Sequence, residues 1–333
     1  MLKEIVVSGI RSTGNLHLGN YFGAMKNFIK MQDEFNCFFF IADYHSLTTH
    51  PTPGDLHNNV KQVLVEYLAC GLDPEKSTLY VQSDLPETAE LYLLLNMNAY
   101  VGELERCTSF KDKIRSQPDN INAGLLTYPT LMAADILIHR AVKVPVGKDQ
   151  EQHLEMSRQF GNRFNRLYNV ELFPEPYAFN YGTNLVKIPG LDGTGKMGKS
   201  EGEGNAIFLV DTPEVIRKKV MRAVTDGGPT QENQPKPEAI VNIFQLLSVV
   251  SNDETVAYFD EQYNTMKIRY GDLKKQLAED MVKFTEPFRE KINEISKDEK
   301  FIQKVARHGA EKARESAAAT VKEARKAIGL RSF

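Results

Sequence analysis

Apolar residues in the first half of the chain fall into short continuous runs, separated by longer stretches in which apolar positions recur every three to four residues. Residues 4–8 form one run. Residues 37–42 (Cys37, Phe38, Phe39, Phe40, Ile41, Ala42) form another, the pattern of a strand buried on both faces. Residues 78–82 give a third. Between them, residues 20–34 place Tyr21, Ala24, Met25 and Phe28 on one helical face. Residues 57–70 read as a helix capped by Gly71, and residues 87–97 as another. This β-α-β-α-β rhythm predicts an α/β fold, a doubly wound parallel sheet of Rossmann-like type with right-handed crossovers. Residues 98–135 interrupt it and read as an insertion. A short strand at 142–146 and a helix at 150–167 follow.

From about residue 212 the strand pattern stops. Helices are predicted at 213–224, 237–250, 253–263, 272–284 and 287–295, giving a mostly α-helical C-terminal domain. An Ala/Glu/Lys/Arg-rich helix at 298–328 stops at Gly329. The expected organisation is a catalytic domain at 1–193, a mobile loop at 194–206, a helical domain at 207–297 and a terminal helix at 298–333.

Composition narrows the class. A length of 333 residues with 41% hydrophobic and 26% charged content describes a globular protein with a sizeable core. No apolar stretch approaches the ~20 residues of a membrane span, and the first residues read as a strand rather than a signal peptide. Three separated cysteines (Cys37, Cys70, Cys107) and seven scattered histidines fit neither a disulfide framework nor a metal cluster, so a cytoplasmic location is expected. A net charge of −3 means that any nucleic-acid partner must be held by local basic patches.

Two signals about 180 residues apart carry the chemistry. After the first strand, a small-residue loop leads to HLGN at 17–20. A helix starting there offers free N–H groups and a positive dipole end to phosphate. Gly19 permits close approach by adenine or ribose, and His17 and Asn20 can donate to phosphate oxygens; the blander reading is an ordinary turn with a capping Asn. Downstream, GTGKMGKS at 193–200 matches the phosphate loop of NTPases, but neither a strand before it nor a helix start after it supports that reading. A mobile loop whose Lys196 and Lys199 clamp the β- and γ-phosphates fits better.

HLGN resembles the H-x-G-H signature of class I aminoacyl-tRNA synthetases, and KMGKS at 196–200 resembles their K-M-S-K-S loop. GELER at 102–106, FKDK at 110–113, YPTLMAADIL at 128–137, VPVGKDQ at 144–150, AVTD at 223–226 and YGDLK at 270–274 are together similar to the bacterial tryptophanyl-tRNA synthetases. The resemblance implies ATP-dependent activation of L-tryptophan to an adenylate with release of pyrophosphate, then transfer to the terminal adenosine of tRNA(Trp). It also implies magnesium riding on the ATP phosphates, no resident metal on the protein, and a homodimer, through residues of the 70–135 region.

The resemblance assigns roles. Arg11, Ser12, Thr13, Gly19 and Asn20 touch ATP. Gly147, Lys148 and Asp149 do so near the ribose, and Lys187, Ile188 and Met197 near the adenine, with Lys196, Gly198, Lys199 and Ser200 on the phosphates. Lys111 is a further phosphate ligand. Asp135 accepts the indole N–H in an apolar setting of Met132, Ala133 and Ile136, and Tyr128 and Gln150 hold the amino group. Val7, Tyr44, Ser109 and Gly198 depart from the family pattern. The helical domain is the family's anticodon reader. Basic residues on the last helix (Lys304, Arg307, Lys312, Arg314, Lys322, Arg325, Lys326) are interspersed with glutamates, as on a solvated helix. Three other readings stay open: a tyrosine–tRNA ligase of the same class, a P-loop NTPase and a non-catalytic tRNA-binding paralogue.

Overall fold

The computed structural model describes residues 3–116, 118–147, 150–181, 188–193, 195–198 and 202–330. Among them are β1 (Ile5–Arg11), α1 (Leu18–Asn20), α2 (Lys26–Glu34), β2 (Asn36–Ala42), α3 (Asp43–Ser46), α4 (Pro53–Cys70), β3 (Thr78–Val81), α5 (Pro86–Asn96), α6 (Val101–Glu105), α7 (Thr108–Ser116), α8 (Ala123–Leu137), β4 (Lys143–Val144), α9 (Glu151–Tyr168) and β5 (Tyr177–Ala178). Then come α10 (Pro213–Met221), α11 (Glu238–Val250), α12 (Asp253–Asn264), α13 (Tyr270–Ile295) and α14 (Glu299–Ile328). The chain forms two compact units: Met1–Gly14, Asn27–Thr183 and Asp298–Phe333 in one, Asn15–Lys26 and Asn184–Lys297 in the other.

The first unit holds a parallel five-stranded sheet ordered β3-β2-β1-β4-β5. Strand order reverses between β1 and β4, so the ends of these two strands border the crevice where ligands of such sheets bind. β2 is buried along six of its seven residues, as its unbroken apolar run requires. β5 was not legible: both its residues are exposed, and it is held by main-chain bonds, Tyr177 N–H to Val142 O at 2.9 Å and Phe179 N–H to Val144 O at 3.0 Å. The segment read as an insertion ends in a core helix, for Ala133, Ala134, Ile136 and Leu137 of α8 are buried in the main hydrophobic cluster.

β3 is an edge strand, and α14 covers it. Gly309 lies so close that a β-carbon there would stand 1.6 Å from the Leu79 carbonyl oxygen. Ala313, Ala317, Val321 and Ala324 continue the buried stripe, and Arg314 pairs with Glu87 of α5 at 3.1 Å. Covering an edge in this way removes a site for unwanted strand pairing.

The second unit is helical apart from its loops. The helix expected over 20–34 is broken: Tyr21–Met25 forms a π-helical turn between α1 and α2. The two helices expected at 272–284 and 287–295 are one, α13, with Pro287 inside it. Proline removes one helix hydrogen bond and crowds the preceding turn. Aromatic packing around that point holds the helix through: Tyr21 meets Phe288 at 4.8 Å and Phe284 at 5.7 Å, and Phe22 stacks on Phe284 at 5.3 Å.

Candidate active site

In the second unit the two distant motifs meet. Residues 16–18 pair with 207–209 through Leu18 N–H to Ile207 O and Leu209 N–H to Leu16 O, both 2.9 Å, with His17 opposite Phe208. His17 opens α1 with a reciprocal cap: Asn20 N–H donates to its Nδ1 at 3.2 Å, and its own N–H donates to Asn20 Oδ1 at 3.1 Å. An accepting Nδ1 leaves the neutral ring's proton on Nε2, the tautomer that can donate to a phosphate oxygen. Asn20 is therefore also the cap that fixes His17. A β-carbon on Gly19 would sit 2.8 Å from His17 Nδ1 and 3.4 Å from the Met197 carbonyl, so only glycine lets the first motif lie this close to the second.

Met197 is buried, and its N–H donates to Ile188 O at 2.8 Å, with Lys196 bridged to Pro189 and its side chain exposed. After the loop comes the 3₁₀ turn Glu203–Asn205, and among the described residues no phosphate-loop helix follows. Sequence reasoning missed the residues at its base. Asn205 accepts Asp192 N–H on Oδ1 at 2.8 Å and Leu191 N–H on its carbonyl at 3.1 Å. Val224 N–H ties to Leu191 O at 3.1 Å.

In the first unit, β1 ends at Arg11. Its Nε and Nη2 are buried without a hydrogen-bond partner among the described residues. Burial, and then the charge of Arg11, hold the Lys113 ammonium below the ordinary lysine range. Lys111, the lysine expected here, points out as an exposed side chain. Residues 111 and 113 lie on different faces of α7. The two cations stand near one another at the end of β1. Ser12 is 2% exposed, and its hydroxyl lies 3.0 Å from Ser46 Oγ, which itself donates to Ala42 O at 3.1 Å. Its side chain is thus spent on the fold. Thr13 is exposed, and Gly147 follows β4, its carbonyl accepting Gln150 N–H at 3.0 Å. Lys148, Asp149, Lys187, Lys199 and Ser200 lie outside the described residues.

Asp135 on α8 is 2% exposed. The apolar setting expected for it is not what surrounds its carboxylate: His45 Nε2 stands 2.7 Å from Oδ2, and Gln82 Nε2 donates to Oδ1 at 2.6 Å. Gln82 is oriented in turn, because its Oε1 accepts Tyr44 N–H at 3.1 Å. Burial pushes the carboxyl up, against the hydrogen bond and charge of His45 and the Gln82 bond, which lower it. Each carboxylate oxygen accepts two donors, so room for a further one remains. The Tyr128 ring lies 4.5 Å from His45 and 5.4 Å from His153, and Met132 is half-buried. His45 and Gln82 were missed, though both follow the carboxyl ends of strands, where ligand-binding residues of such sheets collect.

A parallel sheet with its polar residues gathered at the strand ends, and a lysine loop docked on an H-x-G motif, define a nucleotide-dependent synthetase. Residues 3–286 match the model of the class I tRNA synthetases for tryptophan and tyrosine, and the chain belongs to that family. It is 65% identical over 328 residues to a tryptophan–tRNA ligase of Porphyromonas gingivalis, covering 98% of this chain and 100% of that protein. It is 41% identical over 334 residues to that of Clostridium perfringens, covering 98% of each. The tryptophanyl-tRNA synthetase of Campylobacter jejuni, solved with ADP and tryptophan, superposes with a TM-score of 0.87 at 33% identity, covering 98% of this chain and 100% of that one. A tyrosyl-tRNA synthetase of Aeropyrum pernix shares the fold, at a TM-score of 0.65 and 17% identity. The reaction is the ligation of tryptophan to tRNA; the tyrosine and P-loop NTPase readings are not favoured.

Proposed function

We propose that the carboxylate of tryptophan attacks the α-phosphate of ATP at these residues, and that no protein nucleophile takes part. Catalysis then rests on positioning and charge stabilisation. In the second unit, His17, Gly19 and Asn20 bind ATP, and Lys196, Met197, Gly198, Lys199 and Ser200 follow its phosphates. In the first, Arg11, Thr13 and residues 147–149 take the nucleotide, with Ser12 shaping the turn. Asp135 accepts the indole N–H, with Tyr128, Met132 and Gln150 around the rest of the amino acid. The ADP and tryptophan in the Campylobacter jejuni structure support this reading. Magnesium, when bound, would be held by the ATP phosphates and would supply charge neutralisation there. The adenylate then passes to the terminal adenosine of tRNA(Trp), whose anticodon is read by the helical residues 207–297.

The observation that supports a phosphate assignment in the first unit is the closeness of two cations, Arg11 and Lys113, the charge of one acting on the other. Lys113→Ala is expected to slow tryptophan-dependent exchange of pyrophosphate into ATP by about 10²-fold, the usual effect of removing one donor to developing charge. Lys111→Ala is expected to change it less than about threefold. Equal losses in the two variants would contradict the assignment.

The protein acts in the cytoplasm as a homodimer. Leu93, Met97, Tyr100 and Val101 are 52%, 73%, 62% and 59% exposed within one short stretch of the first unit, which supports a covered apolar face there. Met97→Glu with Val101→Glu is expected to halve the mass measured by light scattering. An unchanged mass would place the interface elsewhere.

A further inference from the structure

AVTD at 223–226 and YGDLK at 270–274 carry none of the substrate contacts proposed above, yet the second unit brings them together. Tyr270 O–H donates to Asp226 Oδ1 at 2.6 Å, and Lys274 Nζ donates to Thr225 Oγ1 at 3.2 Å. The same short segment touches the base of the lysine loop, where Val224 N–H donates to Leu191 O at 3.1 Å. Gly193, with φ at +82°, keeps that base close: a β-carbon on it would stand 3.2 Å from Val224 Cβ and 3.1 Å from Ala239 Cβ.

We infer that Tyr270 and Lys274 are positioning residues of the lysine loop: from α13 they hold residues 224–226, and through Val224 they set where the base of the loop sits. The inference rests on the role proposed for Lys196 and Lys199.

Rigidity is unequal along this line of contacts. α13 is anchored by Leu273, Leu277, Ala278 and Met281, all buried. Tyr270 and Lys274 lie four residues apart, on one face of its first turns. Residues 223–226 follow the end of α10 and belong to no helix or strand. A segment without a regular main-chain ladder takes its position from side-chain partners, and α13 supplies two. The bond from Tyr270 goes to a carboxylate, the stronger kind of hydrogen bond. Burial, and then that bond, push the Tyr270 phenol up, so it keeps its proton and donates. Asp226 Oδ1 also accepts Gly228 N–H at 3.0 Å, which fixes the chain just beyond the segment. Lys274 is half-buried, and burial holds its ammonium below the ordinary lysine range. Asn205 supports the loop base from within the loop's own stretch of chain, through Leu191 N–H and Asp192 N–H. The contacts from α13 support it from outside.

The consequence is kinetic. The loop lysines act on charge that develops as pyrophosphate departs, so a displaced loop costs transition-state stabilisation and leaves tryptophan binding alone. Loss of the α13 contacts therefore lowers kcat and spares the KM for tryptophan.

The test is tryptophan-dependent pyrophosphate exchange in Tyr270→Phe and Lys274→Met, each made in wild type and in a Lys196→Ala, Lys199→Ala background. In wild type each substitution is expected to lower kcat about tenfold, below the ~10²-fold that a 1 Å misplacement can cost, with the KM for tryptophan within about twofold. In the background without loop lysines, each is expected to change kcat less than about twofold, because the groups it positions are gone. Tyr270→Phe removes one oxygen, so it decides the matter if Lys274→Met folds poorly. The same fold loss in both backgrounds, or a loss carried by the tryptophan KM, would overturn the inference. Wild-type kcat in either variant would remove that residue from it. Wild-type exchange in the Lys196→Ala, Lys199→Ala protein would instead overturn the loop reading beneath it.

Discussion

Asp135→Asn is expected to lower kcat/KM for tryptophan by about 10³-fold and to leave the KM for ATP within about twofold of wild type. Both partners of the carboxylate are donors. Gln82 must present its NH₂, because its oxygen is held by Tyr44 N–H, and His45 presents Nε2. Asparagine has one acceptor oxygen where the carboxylate has two, so binding the indole N–H leaves one of three donors unpaired, at about 1–3 kcal/mol. Loss of the charge weakens the bond to the indole N–H as well, since charge-assisted bonds are roughly twice as strong as neutral ones. Together these approach ~4 kcal/mol, about three factors of ten. Stability should fall much less, because burial already pushes this carboxyl up and removing the charge relieves that cost. Pyrophosphate exchange at varied tryptophan, beside a denaturation curve, separates the two effects. A loss below about fivefold, or one matched by an equal loss of stability, would remove Asp135 from the substrate site.

Gly309→Ala is expected to destabilise the protein by at least about 3 kcal/mol, a value reserved for overpacking that cannot relax. The added carbon would meet the Leu79 carbonyl oxygen at 1.6 Å and its carbon at 2.6 Å, both main-chain atoms of β3. Relief requires α14 to lift away, which exposes Ala313, Ala317, Val321 and Ala324 and uncovers the sheet edge. Urea unfolding measures this directly. Gly271→Ala is the control: nothing lies within 4 Å of a β-carbon there, and the change should be neutral or slightly stabilising. A wild-type midpoint for Gly309→Ala would mean that α14 does not pack on β3 as described.

Much of this was legible along the chain. The unbroken run of β2, the order of the first three strands and the last helix with its Gly329 stop follow from periodicity and turn chemistry. The docking of HLGN on the lysine loop could be anticipated from two phosphate-seeking motifs, but its mechanism could not. The fit depends on the missing side chain of Gly19 and on main-chain pairing of 16–18 with 207–209. What stayed hidden was set by tertiary packing. Pro287 signals a helix end, and an aromatic cluster overrides it. Lys111 and Lys113 are indistinguishable in a string of charges, until the turn of α7 carries one toward Arg11 and the other to solvent. Asp135 lies among apolar neighbours in sequence, yet its donors come from residues 45 and 82, more than fifty positions away.

Activation of tryptophan with ATP is the first half of the reaction proposed for these residues. Exchange of labelled pyrophosphate into ATP, measured with tryptophan, with tyrosine and with no amino acid, tests it most directly. Exchange is expected with tryptophan, and background in the other two. Exchange driven by tyrosine, or nucleotide turnover that needs no amino acid, would contradict it.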